Sequence, residues 1–194
     1  MRKPFAYKLL VDIMVVFLAG SMGMWDAFYP NALAASMATQ VYCAPPKTGQ
    51  TTSYQAADDG DYQKGWSGTR FTNNGDGTIT DNATSLMWVA NPASAGAGGT
   101  YTWDKAITAC KSLTYAGYND WRLPNLKELI SIVDYGVFNP AVNPYFASQS
   151  LLCWSSTTSA SYKSGAWLVD FNYGLVVNID KSDSFYIRPV RGGQ

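Results

Sequence analysis

Asn119-Asp120-Trp121-Arg122-Leu123-Pro124-Asn125-Leu126-Lys127-Glu128-Leu129 is the stretch that decides the fold. Asn125 and Glu128 have the spacing of a capping box, in which each side chain satisfies a backbone N–H left over at a helix start. Behind them Leu126, Leu129, Ile130 and Val133 recur at i, i+3, i+4 and i+7, which predicts a helix with one apolar face. Gly136 stands where a C′ stop belongs. The Trp-Arg-Leu-Pro lead-in therefore delivers an extended segment into a capped, core-facing helix.

Upstream, Thr102 is positioned as the N-cap of another helix, predicted from Trp103 to about Ala116, with Asp104 in its first turn and Gly117 as its stop. Trp103, Ala106, Ile107, Cys110 and Leu113 share its apolar face. Before it, Asn74-Gly75 and Asp76-Gly77 mark tight turns, Thr78 to Asp81 and Leu86 to Val89 read as short strands, and Ala93 to Gly99 reads as a loop. After the second helix, Phe138 to Ser150 is irregular, with Tyr145 and Phe146 available to pack it.

The last forty residues are β in character. Trp154 opens a strand. Trp167, Val169 and Phe171 alternate with Leu168 and Asp170, Asn172-Tyr173-Gly174 turns the chain, and Leu175, Val177 and Ile179 alternate on the return. A turn at Lys181 to Ser184 leads to a closing strand, Phe185 to Arg191, in which Pro189 implies an edge or a bulge. Helices first and a meander last predict an α+β fold, two helices packed on a small twisted antiparallel sheet. No internal repeat is visible.

The chain has 194 residues, 47% of them hydrophobic, enough for one sizeable core. Residues 1–34 read as a secretory signal peptide. Arg2, Lys3 and Lys8 form a basic start, the uncharged run from Ile13 to Trp25 is too short for a spanning helix, and Ala32-Leu33-Ala34 offers a cleavage site. No stable membrane span is expected once it is cleaved; the alternative is an uncleaved anchor. Residues 35–68 are polar and read as an extended leader, and 69–194 as the folded domain. Three basic and two acidic residues leave with the signal, so 11 Lys plus Arg face 12 Asp plus Glu. A near-neutral chain has no general electrostatic hold on nucleic acid, which is not expected as a partner.

Histidine is absent, which excludes Ser-His-Asp and Cys-His catalysis and any His-ligated metal site. Cys43, Cys110 and Cys153 are too far apart for a CxxC motif; one disulfide plus one free thiol is the simplest count, with the pair undetermined. Cys110, on the apolar helix stripe, reads as a buried structural residue.

Arg70-Phe71-Thr72, Asn74 to Asn82, Leu86-Met87-Trp88, Thr102-Trp103, Gly117 to Asn125, Glu128-Leu129, Trp154 to Thr158, Ala166-Trp167, Val169-Asp170-Phe171 and Val190 to Gly193 together resemble the Lcl C-terminal domain family. That family takes its name from a bacterial collagen-like adhesin, and the likeness runs from about residue 45 to 194. It implies a C-type-lectin-like fold in an exported bacterial protein. Arg122-Leu123-Pro124 and the Arg188/Arg191 strand are also distantly similar to formylglycine-generating-enzyme-type domains. The adhesin relative is associated with sulfated glycans, and related lectin-like proteins are diversified in their C-terminal strands and turns, so the resemblance implies a binding surface there. The resemblance implies a cysteine in the closing strand, opposite the helix cysteine, as in many relatives. Here that position reads Arg188-Pro189-Val190, leaving Cys153 or Cys43 as partners for Cys110.

Asn73 to Gly77 concentrates oxygen ligands but lacks the glutamate of a calcium loop, and reads as turn structure. Asp120, Glu128 and Asp134 are the carboxylates that acid–base chemistry would use; Glu128 is better spent on the helix cap, and Asp120 as a partner for Arg122. Trp103, Trp121, Trp154 and Trp167 read as core. No catalytic residue, metal ligand or cofactor is expected. The candidate ligand-binding residues lie on exposed β turns: Tyr162, Lys163, Asn172, Tyr173, Asn178, Asp180, Lys181, Asp183 and Tyr186. The leading expectation is a secreted, periplasmic or surface-bound binding module for a glycan or protein ligand. The alternatives are a subunit of an extracellular assembly whose turns contact its own copies, or an enzyme of the formylglycine-generating type.

Overall fold

Asp76 shapes the first hairpin. Its Oδ1 accepts from the Thr78 N–H at 2.9 Å and the Thr78 hydroxyl at 2.6 Å, and Gly75 and Gly77 take φ of +80° and +88°. In the computed structural model, which describes residues 44–146 and 152–193, the turn joins β1 (Phe71–Asn73) to β2 (Thr78–Asp81). Strand β1 lies where the sequence reading placed none. A second turn leads to β3 (Leu86–Val89). Asp81, fully buried in β2, accepts both prongs of the Arg70 guanidinium at 2.9 Å, and Arg70 also reaches the Ser131 carbonyl at 2.6 Å. A buried carboxylate is tolerated because it is paired and doubly hydrogen-bonded.

The leader, from residue 44 onward, contains one four-residue helix, α1 (Asp59–Tyr62). It is pinned to the body where the Tyr135 N–H donates to the Thr48 carbonyl at 2.7 Å. The predicted signal peptide and Cys43 lie outside the described residues.

Helix α2 runs from Trp103 to Lys111, five residues shorter than its apolar stripe suggested. Thr102 occupies the N-cap position, but its side chain makes no capping bond. The Ser112 hydroxyl donates to the Thr108 and Ala109 carbonyls and ends the helix. Tyr115 and Tyr118 then exchange backbone hydrogen bonds across Ala116 and Gly117, both at positive φ, the signature of a type I′ turn. Helix α3 (Leu126–Ser131) carries the expected capping box: the Asn125 side chain accepts from the Glu128 N–H at 3.0 Å and Glu128 accepts from the Asn125 N–H at 2.8 Å. It stops at Ile132, before Val133 and well before Gly136. Of the two residues expected to pack the following loop, Phe146 is fully buried and Tyr145 is half exposed; the end of that loop lies outside the described residues.

The tail gives β4 (Leu152–Thr158), β5 (Gly165–Asp170), β6 (Leu175–Asp180) and β7 (Val190–Gly192). The fold is α+β, but it has two antiparallel sheets where a single small one was expected. One has the order β1-β2-β3-β7 and the other β4-β5-β6. The expected closing strand is divided between them. Phe185 bridges Tyr101, Tyr186 bridges Cys153, and after Pro189 the chain crosses to pair Val190 with Trp88. The Pro189 carbonyl still accepts from the Val89 N–H, so the missing proline N–H falls where the chain changes sheets.

Strands β4 and β5 of the second sheet are buried on both faces. Cys153, Val169 and Phe171 join a core with Trp88, Phe146, Leu129 and Ile132. Trp154, Ala166 and Leu168 join a separate core with Cys110, Leu123 and Ile187. Cys110 and Cys153 therefore sit in different cores, both as free thiols. Double burial also explains why β5 does not alternate: Leu168, expected to face outward, is as buried as Val169.

Candidate binding surface

Gly165 brings the first candidates together. A Cβ there would collide with the Tyr162 ring and with Asn178 Oδ1, so only glycine lets these two side chains close over the start of β5. The Tyr162 hydroxyl donates to Asp180 Oδ2 at 2.6 Å, and the Ser182 N–H and hydroxyl donate to Asp180 Oδ1 at 2.9 and 2.7 Å. These donors, Tyr162 foremost, hold the Asp180 carboxyl down at about 2. Asn178 Nδ2 donates to the Ser159 hydroxyl at 3.0 Å, while its Oδ1 is buried without a partner among the described residues.

Lys181 borders this group. Its Nζ donates to Thr158 Oγ1 at 2.9 Å and lies 4.0 Å from the centroid of the Trp103 ring. The Trp103 N–H donates to the Lys181 carbonyl at 3.1 Å, fixing the turn to the start of α2. Lys163 and Asp183 are exposed on the flanking turns. The structure thus gathers Tyr162, Asn178 and Asp180 on one side of the β4–β6 sheet, while Lys181, with Thr158 and Trp103, lies toward the other side at the strand end.

The remaining candidates lie elsewhere. Asn172 and Tyr173 occupy the turn at the opposite end of β5, about 20 Å away for a six-residue strand. Asn172 donates from its N–H and its Nδ2 to Asp170 Oδ1, both at 2.8 Å, and Tyr173 is 65% exposed. Tyr186 is half buried against the Trp88 core and is no surface residue.

The carboxylates weighed for acid–base work are engaged. Asp120 pairs with Arg191 at 2.6 Å, not with Arg122 as its position suggested, and this hydrogen bond lowers its pKa. Arg122 instead grips Glu128 with two bonds of 2.7 Å, which raises the guanidinium pKa. Asp134 accepts from the Gly136 N–H at 2.9 Å. The tryptophans expected in the core divide: Trp121 and Trp154 are buried, Trp103 and Trp167 partly so.

Two features escaped the sequence reading. Arg188 is 2% exposed, its guanidinium 5.1 Å from the Phe146 ring and 5.4 Å from the Phe171 ring, and burial lowers its pKa. A cleft of about 240 Å³ lies between the leader and the body, lined by Lys47, Trp66, Arg70, Asp134 and Asn143. Trp66 was its signal, a large aromatic in an otherwise polar stretch.

Among the described residues no helix is long and apolar enough to cross a membrane. No match to the chain is found among curated proteins. Residues 77–191, which hold both helices of the body, the whole β4–β6 sheet and every candidate residue, match the Lcl C-terminal domain model, and the chain belongs to that family.

Proposed function

We propose that this chain is an exported, non-catalytic binding module of C-type-lectin-like class that recognises a glycan or a protein outside the cytoplasm. The observation that carries the reading is the convergence of Tyr162, Asn178 and Asp180 at one end of the β4–β6 sheet, with Lys181 at the same strand end. The surface is made of strand ends and turns. Small-molecule sites are concave and commonly enclose roughly 300–1,000 Å³; an open polar-aromatic surface suits an extended ligand better. Tyr and Asn offer ring faces and adaptable hydrogen bonds at low entropic cost, and the Lys181 ammonium offers a charge for an acidic group. A formylglycine-generating-type reaction would require a thiol open to substrate, whereas Cys110 and Cys153 are both buried.

Glycan and heparin arrays, run with and without calcium, test the proposal. Binding to a defined glycan class is expected, weakened at least tenfold by Tyr162→Ala or Lys181→Ala. A flat response on every array, or binding that these substitutions leave unchanged, sinks glycan recognition at this surface.

A further inference from the structure

Each of the two sheets has two outer edges, and three of these four edges are blunted. Strand β1 is only three residues long, and exposed edges that short make poor templates. The outer side of β7 is taken by Arg122, which exchanges backbone hydrogen bonds with Val190. Strand β4 is covered by Tyr186, whose N–H donates to the Leu152 carbonyl while its own carbonyl accepts from the Trp154 N–H. Strand β6 differs. It pairs with β5 over six regular positions, and among the described residues no strand pairs with its other side.

The register identifies the groups left over. Lys181 donates to the Ser164 carbonyl in line with the β5–β6 ladder, so alternation directs the N–H and C=O of Val176 and Asn178 away from β5, while the outward carbonyl of Asp180 is taken by the Asp183 N–H. The sequence Leu175-Val176-Val177-Asn178-Ile179 carries no charge, proline or bulge, which are the usual protections of an open edge. Leu175 and Val176 are 54% and 37% exposed beside it.

We propose that β6 pairs antiparallel with β6 of a second copy, joining two three-stranded sheets into one of six strands. The occupant follows from the strand's own pattern. A two-fold axis through Val177 sets Val177 opposite Val177, Leu175 opposite Ile179 and Val176 opposite Asn178, all uncharged pairs. It bonds the outward groups of Val176 to those of Asn178, and it places no two like charges opposite each other. The interface is isologous and closes as a dimer. This pairing uses the backbone of β6 and goes beyond the recognition reading without resting on it.

A strand edge with few flanking side chains falls below the roughly 800 Å² per partner of a standard interface. A dimer of about 10–100 μM affinity is therefore expected. Sedimentation velocity of the full-length chain across a concentration series should show monomer passing to dimer. Leu175→Lys and Val176→Lys, checked for unchanged folding by circular dichroism, should each raise the dissociation constant at least tenfold. As a second readout needing no variant, amide exchange at Val176 and Asn178 should slow as concentration rises. A monomer up to about 1 mM overturns the proposal, as does a dimer indifferent to both lysines. Protection of these amides at every dilution also overturns it, because the edge would then be covered from within the chain.

Discussion

Glu128 does two jobs with one carboxylate: it caps α3 through the Asn125 N–H and grips both prongs of Arg122. Losing a cap costs about 1 kcal/mol, and a partly exposed ion pair adds roughly 0.2–1 kcal/mol. Glu128→Ala is therefore expected to destabilise by about 1–2 kcal/mol in urea unfolding, while Glu128→Gln, which retains the capping oxygen, should recover most of the loss. If Gln costs as much as Ala, the ion pair dominates and the cap is secondary. At Asp180 the Tyr162 hydroxyl is the main cause of the depressed pKa of about 2. A carboxyl whose folded pKa lies below its unfolded value of 3.8 contributes stability above that value, lost as pH falls toward 2. Tyr162→Phe should move the Asp180 titration upward, read from its side-chain carbon resonance. The thiols behave oppositely. Burial pushes Cys110 to about 12 and Cys153 to about 11, from 9. Their contribution is intact below pH 9 and lost as pH rises toward those values, because the unfolded thiols ionise first. A thiol-reactive disulfide reagent at pH 8 should leave both untouched until denaturant is added; labelling of either in the native protein would contradict the burial.

Strand β5 shows where element-level reading meets its limit. Alternation of Trp167, Val169 and Phe171 with Leu168 and Asp170 describes a strand with one wet face. Leu168 is instead fully buried, because α2 and its neighbours cover the second face. Leu168→Ala is expected to cost about 2–5 kcal/mol, the range for leucine truncation in a filled core. A denaturation midpoint that barely moves would restore the one-faced strand. Helix α2 carries a related lesson. Its apolar stripe runs on to Leu113, but Ser112 and the Ala116-Gly117 turn end the helix at Lys111. Hydrophobic spacing reports which residues point inward; local hydrogen bonding decides where the helix stops.

At the scale of the whole molecule, the segment from Phe185 to Gly192 ties the parts together. It touches Tyr101 beside α2, Cys153 in one sheet and Trp88 in the other, and it carries Ile187 and Val190 into different cores. Truncation after Asp183 removes partners from both sheets and both cores at once. Such a chain is expected to lose its cooperative thermal transition and its near-ultraviolet dichroism. A sharp transition in the truncated protein would show that the two sheets fold without their tie.

Features set by neighbours in the chain were legible in the sequence: the Asn125/Glu128 box, the glycine turns around Asp76, the α+β class and the burial of Trp121, Trp154 and Cys110. Each depends on residues a few positions apart, where spacing and side-chain chemistry suffice. Pairings across long separations were not legible. Arg191 took Asp120 and left Arg122 to Glu128, the closing strand divided at Pro189 between two sheets, and Tyr186 was drawn inward. The candidate turn residues likewise divided between opposite ends of β5, because a hairpin separates its turn from its open end by the full length of its strands. Which groups meet across the fold depends on how elements pack around two cores, and a one-dimensional pattern contains no term for that.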